Sequence, residues 1–469
     1  MQEAVRAFSQ VYALIEQNAA DTINPNSLVY EAALPALLRR LDPHSVFFSP
    51  AQFEQLKEMQ KSTAKGFGTV VSVLPGRVIV LQTVPGAPSV RAGIAPGDEI
   101  VGINNINLGA LDMDQLVGLL SETRQRQALL HVRRPGNAKL MNFTLVPEEL
   151  ASPSVDRAWH PRAGIGYVRA TSFEADTGKL MAETIEKLGG KDLKGLVLDL
   201  RNNGGGIIHP SLEVAALFLP GGKKLVTLRG RARDLDEPKV PEGTKPYSFP
   251  VVVLINEKTA SAAEIVAGAL QDYDRATIVG LPSFGKGLVQ SVFPMSQGTG
   301  MALTTAFYFT PSGRSIQKPL KEGQLEGNTR YANLETTTDF RTSSGRKVRG
   351  GGGIEPDFVV WPERQTRLRA FLDASASLTA FATEYLQKHT QVSAQFRVMN
   401  SLLDELQVYL STRNVRPSLS EWSADREWIR SRVLQEIFNQ SLGVEKGDEV
   451  ESQRDPQVQR AVELLTVAQ

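Results

Sequence analysis

Val251-Val252-Val253-Leu254-Ile255-Asn256-Glu257-Lys258-Thr259-Ala260-Ser261-Ala262-Ala263-Glu264 is the stretch on which the fold turns. Its first five residues are β-branched or leucine with no polar break, the pattern of a strand buried on both faces. A polar turn follows, and a helix starts near Ser261 and runs to about Leu270. Strand passing straight into helix is the repeating unit of an α/β sheet. Apolar runs at Ile165 to Val168, Leu196 to Leu200 and Thr277 to Val279 repeat the theme, with helical stretches over Gly178 to Leu188 and Leu212 to Leu219. Residues 149–362 therefore read as an α/β core.

Outward from that core the character changes. Residues 62–148 carry short β-branched runs, Val78 to Leu81 and Leu129 to Val132, between glycine and proline turns, with one helix pattern over Met113 to Glu122. This reads as a self-contained β-rich module. Residues 1–61 show apolar residues at helical spacing (Val5, Phe8, Val11, Leu14, Ile15) and a second such pattern from Leu28 to Leu41. Ser49-Pro50 supplies an N-cap and a first-turn proline for a further helix. Residues 363–469 are again helical, with patterns over Arg367 to Gln387, Ser393 to Leu410, Ser420 to Phe438 and Asp455 to Val467, and a polar stretch from Glu445 to Gln453. The fold class expected is multidomain α+β.

A chain of 469 residues exceeds one compact core. With 52 basic against 51 acidic side chains, no electrostatic argument favours nucleic acid. The absence of cysteine removes disulfides, thiol nucleophiles and thiolate metal sites. No apolar run reaches the roughly 18 residues a membrane span needs, and Met1 to Arg6 lacks the layout of a secretion signal.

The chemistry lies in two segments, Thr259 to Glu264 and Ser283-Phe284-Gly285-Lys286-Gly287-Leu288-Val289-Gln290. A serine hydroxyl needs a base, and a lysine serves if burial lowers its pKa. Gln290, four residues after Lys286, is spaced to hold the amine. Together they read as a serine protease with lysine in place of histidine. Asn202-Asn203-Gly204-Gly205-Gly206, after the strand Leu196 to Leu200, has the glycines an oxyanion hole requires. Plainer readings exist: Ser261 as an N-cap, and the glycines as a turn. Gly280 to Lys286 also fits the start of a phosphate-binding loop, but Gly287 stands where Ser or Thr should hold magnesium. Ser62-Thr63-Ala64-Lys65 matches S-x-x-K without the accompanying K-T-G and reads as linker. Of five histidines, His209 lies near the glycines and could line a cleft, although a place outside it is the plainer reading; the others read as turn, surface or packing residues.

Several segments in chain order resemble the carboxyl-terminal processing (tail-specific) serine proteases. They include Leu41-Asp42-Pro43-His44-Ser45, Leu198 to Gly206, Thr304 to Ile316, Gly353-Ile354-Glu355-Pro356-Asp357 and Asp455 to Ala461. The resemblance implies a crotonase/ClpP-like protease core with Ser261 as nucleophile, Lys286 as general base and Gln290 orienting it. It implies an oxyanion hole from Ala262 with Gly205 or Gly206, and no cofactor or metal. It implies a PDZ domain over residues 62–148, with Gly66, Phe67, Gly68 and Val70 at its peptide site. It further implies protein substrates with flexible apolar C-termini, an activating or adaptor protein, a homo-oligomer, and a place in the periplasm or cell envelope. Ala263 stands where the family often has serine, Gly204 where it often has proline, and residues 317–352 are an insertion. Rival readings are an inactive PDZ adaptor, a nucleotide hydrolase and a crotonase-like acyl transferase.

Overall fold

The computed structural model describes residues 2–22, 24, 27–59, 63–74, 76–231, 236–318, 340–389 and 391–467. At its centre is a six-stranded sheet in the order Val155–Arg162, Ile165–Ala170, Gly195–Asp199, Val251–Ile255, Ala276–Gly280, Phe358–Val359. The first pair is antiparallel and the rest are parallel, with Val253 opposite Leu198 and Ile278.

The unbroken apolar strands are explained by what covers them. One face packs on the helices Thr177–Lys187, Ile208–Ala216 and Ala262–Asp272 through Leu196, Leu198, Val253 and Ile278. The other face packs on the last helix, Pro456–Val467, through Val197, Val252, Leu254 and Val279 against Val458, Ala461 and Leu465. Each fully buried valine or leucine contributes about 1.5–3 kcal/mol. The closing helix is thus a layer of the core, although in sequence it follows the C-terminal helices.

A smaller four-stranded sheet stands beside the core. Its long strand Gly300–Phe309 pairs with Leu288–Pro294, Val46–Phe48 and Thr227–Arg229. Val46–Phe48 lies between the helical pattern that ends at Leu41 and the helix start at Ser49-Pro50. It is a strand because Phe47 is buried against this sheet. The helix expected at Ser49-Pro50 begins there, with Ser49 N–H donating to Gln52 Oε1 at 3.0 Å.

Residues 69–145 form an antiparallel sheet in the order Thr69–Leu74, Arg77–Thr83, Glu99–Ile103, Ala128–Arg133, Met141–Leu145. The helix Met113–Thr123 opens on a reciprocal cap between Asp112 and Gln115. A two-stranded ladder, Thr63–Gly66 with Glu148–Ala151, joins the module's entry and exit. The C-terminal helices Arg367–Ala374, Ser377–Lys388, Asn400–Thr412 and Leu419–Ser441 enclose their own core around Trp422, Trp428 and Phe438. Three details depart from the sequence reading, the first being that the pattern from Ser393 to Leu410 becomes helical only at Asn400. The pattern from Arg367 to Gln387 is two helices, broken at Ala376 with φ 49°. The polar stretch from Glu445 is the helix Val444–Ser452, held by burial of Val450 and a close fit of Gly447 on Asn439. In the insertion, 319–339 lie outside the described residues, and Phe340–Arg341 pairs with Lys347–Val348.

Candidate active site

Ser261 occupies the turn between the strand Val251–Ile255 and the helix Ala262–Asp272, with φ 57° and ψ −120°. An L-residue avoids that region, and where it persists the surroundings enforce it. The enforcement here is explicit. Thr259 Oγ1 donates to Leu200 O at 2.8 Å, Ala260 N–H to Asn203 O at 2.9 Å, and Tyr308 OH to Ser261 O at 3.1 Å. A sharp strand-to-helix elbow presents its side chain at the carboxyl end of the sheet, where open α/β sheets bind ligands.

The glycine loop meets this elbow. Gly205 has φ 100°, and a Cβ on it would lie 2.8 Å from both Ala260 O and Ser261 Cβ and 3.0 Å from Ala262 N. Its own N–H donates to Asn203 Oδ1 at 2.8 Å, so Gly205 brings the loop close without an amide to spare for a ligand. Asn202 is locked by paired bonds with Asn256, at 2.9 and 3.0 Å.

Lys286 precedes the strand Leu288–Pro294 and is partly buried. Its Nζ donates to Gln290 Oε1 at 3.0 Å. Burial pulls the lysine pKa down, opposed by the negative charges of Asp42 and Glu264. The pairing of that strand with Gly300–Phe309 shifts register between Val289 and Gln290, an irregularity of the kind that re-aims a side chain beside an active site.

Glu264 is the residue to which sequence reasoning gave no role. It is fully buried, and its two oxygens accept four hydrogen bonds. Oε2 takes Ser261 N–H at 2.8 Å and Lys286 N–H at 2.9 Å; Oε1 takes Ser283 Oγ–H at 2.5 Å and Gly285 N–H at 2.7 Å. Ser261 and Lys286 are therefore anchored to one oxygen atom. Burial raises the Glu264 pKa, and the four donors work against that rise. The available signal was the S-x-x-E spacing from Ser261 to Glu264, a helix-start pattern. Ser283 Oγ also accepts Ile354 N–H at 2.6 Å, which ties the Gly353 to Asp357 segment to the lysine loop.

The phosphate-loop reading fails on this geometry. After Lys286 comes a strand rather than a helix, and the Gly285 and Lys286 amides are bound to a carboxylate. His209 does not enter the cleft: its side chain is 81% exposed and faces Glu213 at 3.3 Å. Gly66, Phe67, Gly68 and Val70 sit apart from the elbow in the β-rich module. Phe67 is buried, and its carbonyl accepts Ser89 N–H at 3.0 Å. Gly68 O accepts Ser89 Oγ–H at 3.0 Å, and the strand bearing Val70 is an edge of its sheet.

Among solved structures, one named photosystem II D1 C-terminal processing protease is 26% identical and covers 75% of this chain and 86% of its own, at a TM-score of 0.42. Residues 164–325 match the model of peptidase family S41, and residues 79–134 match that of the PDZ domain. A carboxyl-terminal-processing protease of Synechocystis is 32% identical over 292 residues, or 61% of this chain and 68% of that protein. A carboxy-terminal processing protease of Bacillus subtilis is 26% identical over 407 residues, 82% of this chain and 85% of its own length. These sequence matches define a serine protease that carries a PDZ domain. The chain belongs to peptidase family S41, among the carboxyl-terminal processing proteases.

Proposed function

We propose that Ser261 is the nucleophile, Lys286 its general base and Gln290 the group that holds the lysine, in an enzyme that cleaves proteins near their C-termini. The observation that carries this reading is the Glu264 carboxylate, which anchors Ser261 and Lys286 on a single oxygen while Lys286 Nζ rests on Gln290. Neutral Lys286 takes the Ser261 hydroxyl proton as Oγ bonds to the scissile carbonyl carbon. The oxyanion that forms is stabilised by the amides of Gly206 and Ala262. The lysine then gives that proton to the departing nitrogen as the C–N bond breaks, leaving an acyl-enzyme. Water repeats the sequence, releases the acid and restores Ser261.

In the PDZ domain the edge strand Thr69–Leu74 offers unpaired backbone to a peptide added as a further strand. Gly66, at the end of its strand, leads into Phe67 and Gly68 as the loop that receives the tail's carboxylate, with Val70 on the pairing strand. Substrates are proteins with flexible, apolar C-termini. The helix Gln2–Asn18 exposes Val5, Phe8, Val11 and Leu14, a stripe suited to association with a further copy of the chain. A periplasmic or envelope location and an activating partner complete the reading.

Incubating wild type, Ser261→Ala and Lys286→Ala with an unfolded protein bearing an apolar tail tests it by fragment mapping. Wild type should cut near the tail; both variants should bind the tail and cut nothing. Cleavage by Lys286→Ala at the wild-type rate would remove lysine as the base.

A further inference from the structure

Gln290 has two ends, and the N-terminal segment holds one of them. Its Oε1 accepts from Lys286, while its Nε2 donates to the backbone carbonyl of His44. A carbonyl oxygen can only accept, so it admits the amide nitrogen alone and turns the amide oxygen toward the lysine. The orientation of Gln290 is thus decided 246 residues away along the chain.

The His44 carbonyl is itself held by a built turn. Asp42 Oδ1 accepts His44 N–H and Ser45 N–H, each at 2.8 Å, and Asp42 Oδ2 accepts Ser45 Oγ–H at 2.7 Å. Ser45 Oγ in turn accepts Thr304 N–H at 3.1 Å, and Val46–Phe48 pairs with Met301 and its neighbours. Asp42 and Ser45 are both buried. A buried carboxylate satisfied by three donors of one short turn specifies one conformation of it.

We infer that Asp42 is a positioning residue for the protease reaction, acting through the His44 carbonyl to hold Gln290 in the one amide orientation that accepts from Lys286. Without Asp42 the turn loses three bonds, the carbonyl moves, and Gln290 is free to present its nitrogen to the amine. Lys286 then loses its acceptor. The charged and titratable groups that face Lys286 are Asp42, His44 and Glu264. Removing Asp42 takes away one of the two negative charges, and that alone would favour neutral lysine. Positioning and charge therefore push activity in opposite directions.

The inference rests on Gln290 being part of the catalytic group, so the test separates the two. kcat and KM on a tailed substrate are measured for Asp42→Ala, Asp42→Asn, Gln290→Ala and the pair Asp42→Ala/Gln290→Ala, with tail binding as a check on folding. Asp42→Ala should lower kcat by about 10- to 100-fold at unchanged KM. Asp42→Asn keeps one acceptor oxygen and should fall between it and wild type. The double variant should be no worse than Gln290→Ala, the non-additivity of two residues acting in series. His44→Ala retains the carbonyl and should cost less than Asp42→Ala. Multiplying losses in the double variant, or a rate in Asp42→Ala raised by the missing charge, would overturn the role of Asp42. A fully active Gln290→Ala would instead overturn the catalytic assignment beneath it. If Asp42→Ala fails to bind the tail, Asp42→Asn in the same two backgrounds decides the question.

Discussion

As the proposed general base, Lys286 must shed its own proton before it can take one from Ser261, and its surroundings pull in both directions. Burial favours the neutral amine; Asp42 and Glu264 favour the ammonium; the balance lies below the ordinary lysine range of about 10.4. kcat/KM should therefore rise with pH through a value below that range and then level off. The same shift has a sign for stability. A lysine whose folded pKa is lowered binds its proton more weakly when folded, so stability rises with pH between the depressed and the ordinary value. Below that window the folded state carries the cost of burying the charge in full. Lys286→Met should melt higher than wild type at neutral pH, with the difference shrinking toward pH 10. Thermal melts across pH check this, and an unchanged or lower melting point at neutral pH would mean that the amine sits in a solvated niche.

The glycine loop and the serine elbow are a pair of elements that fit only in one way. Gly205 has a left-handed φ and no room for a side chain, whereas Gly204 has ordinary backbone angles and nothing within 4 Å of an added Cβ. Gly205→Ala should push the loop away from Ser261 and cost about 100-fold or more in kcat, the scale of a lost oxyanion donor. Gly204→Ala should stay within about twofold of wild type, a contrast that steady-state kinetics on the two variants reads directly. Equal losses would tie the effect to loop stiffness rather than to the fit. The elbow and the strands around it were legible because their signals are local: an apolar run, a turn, a helix start. Glu264 was less legible because its spacing from Ser261 also describes a common helix cap. The strand Val46–Phe48 and the role of Asp42 were hidden because their partners, Met301, Thr304 and Gln290, are some 250 residues further on. The helix Val444–Ser452 was hidden because its sequence is polar and packing alone stabilises it.

At the scale of the whole molecule, the last helix joins the end of the chain to the catalytic sheet. Asp455 Oδ1 accepts Gln457 N–H at 2.8 Å and so caps the helix, while its Oδ2 accepts from Arg201 at 2.5 Å. Arg201 also grips the buried Asp199, which accepts Tyr167 OH at 2.6 Å, and it donates to Gln457 Oε1 at 2.8 Å. Arg201 directly precedes the glycine loop, so this ionic cluster holds the loop from behind as it docks the helix. Burial opposes the arginine's charge, but Asp199 and Asp455 hold its pKa well above the usual value. Asp455→Ala removes a cap of about 1 kcal/mol together with one arm of a largely buried ion pair, for a loss near 3 kcal/mol. Asp455→Asn keeps a capping oxygen and should lose about 1 kcal/mol. Thermal melts should rank wild type above Asp455→Asn above Asp455→Ala. Because the glycine loop leans on the same arginine, kcat should fall in that order too, while tail binding by the PDZ domain holds steady. Melting points that drop without any change in kcat would confine the cluster to stability and leave the loop supported by Asn256 and the serine elbow alone.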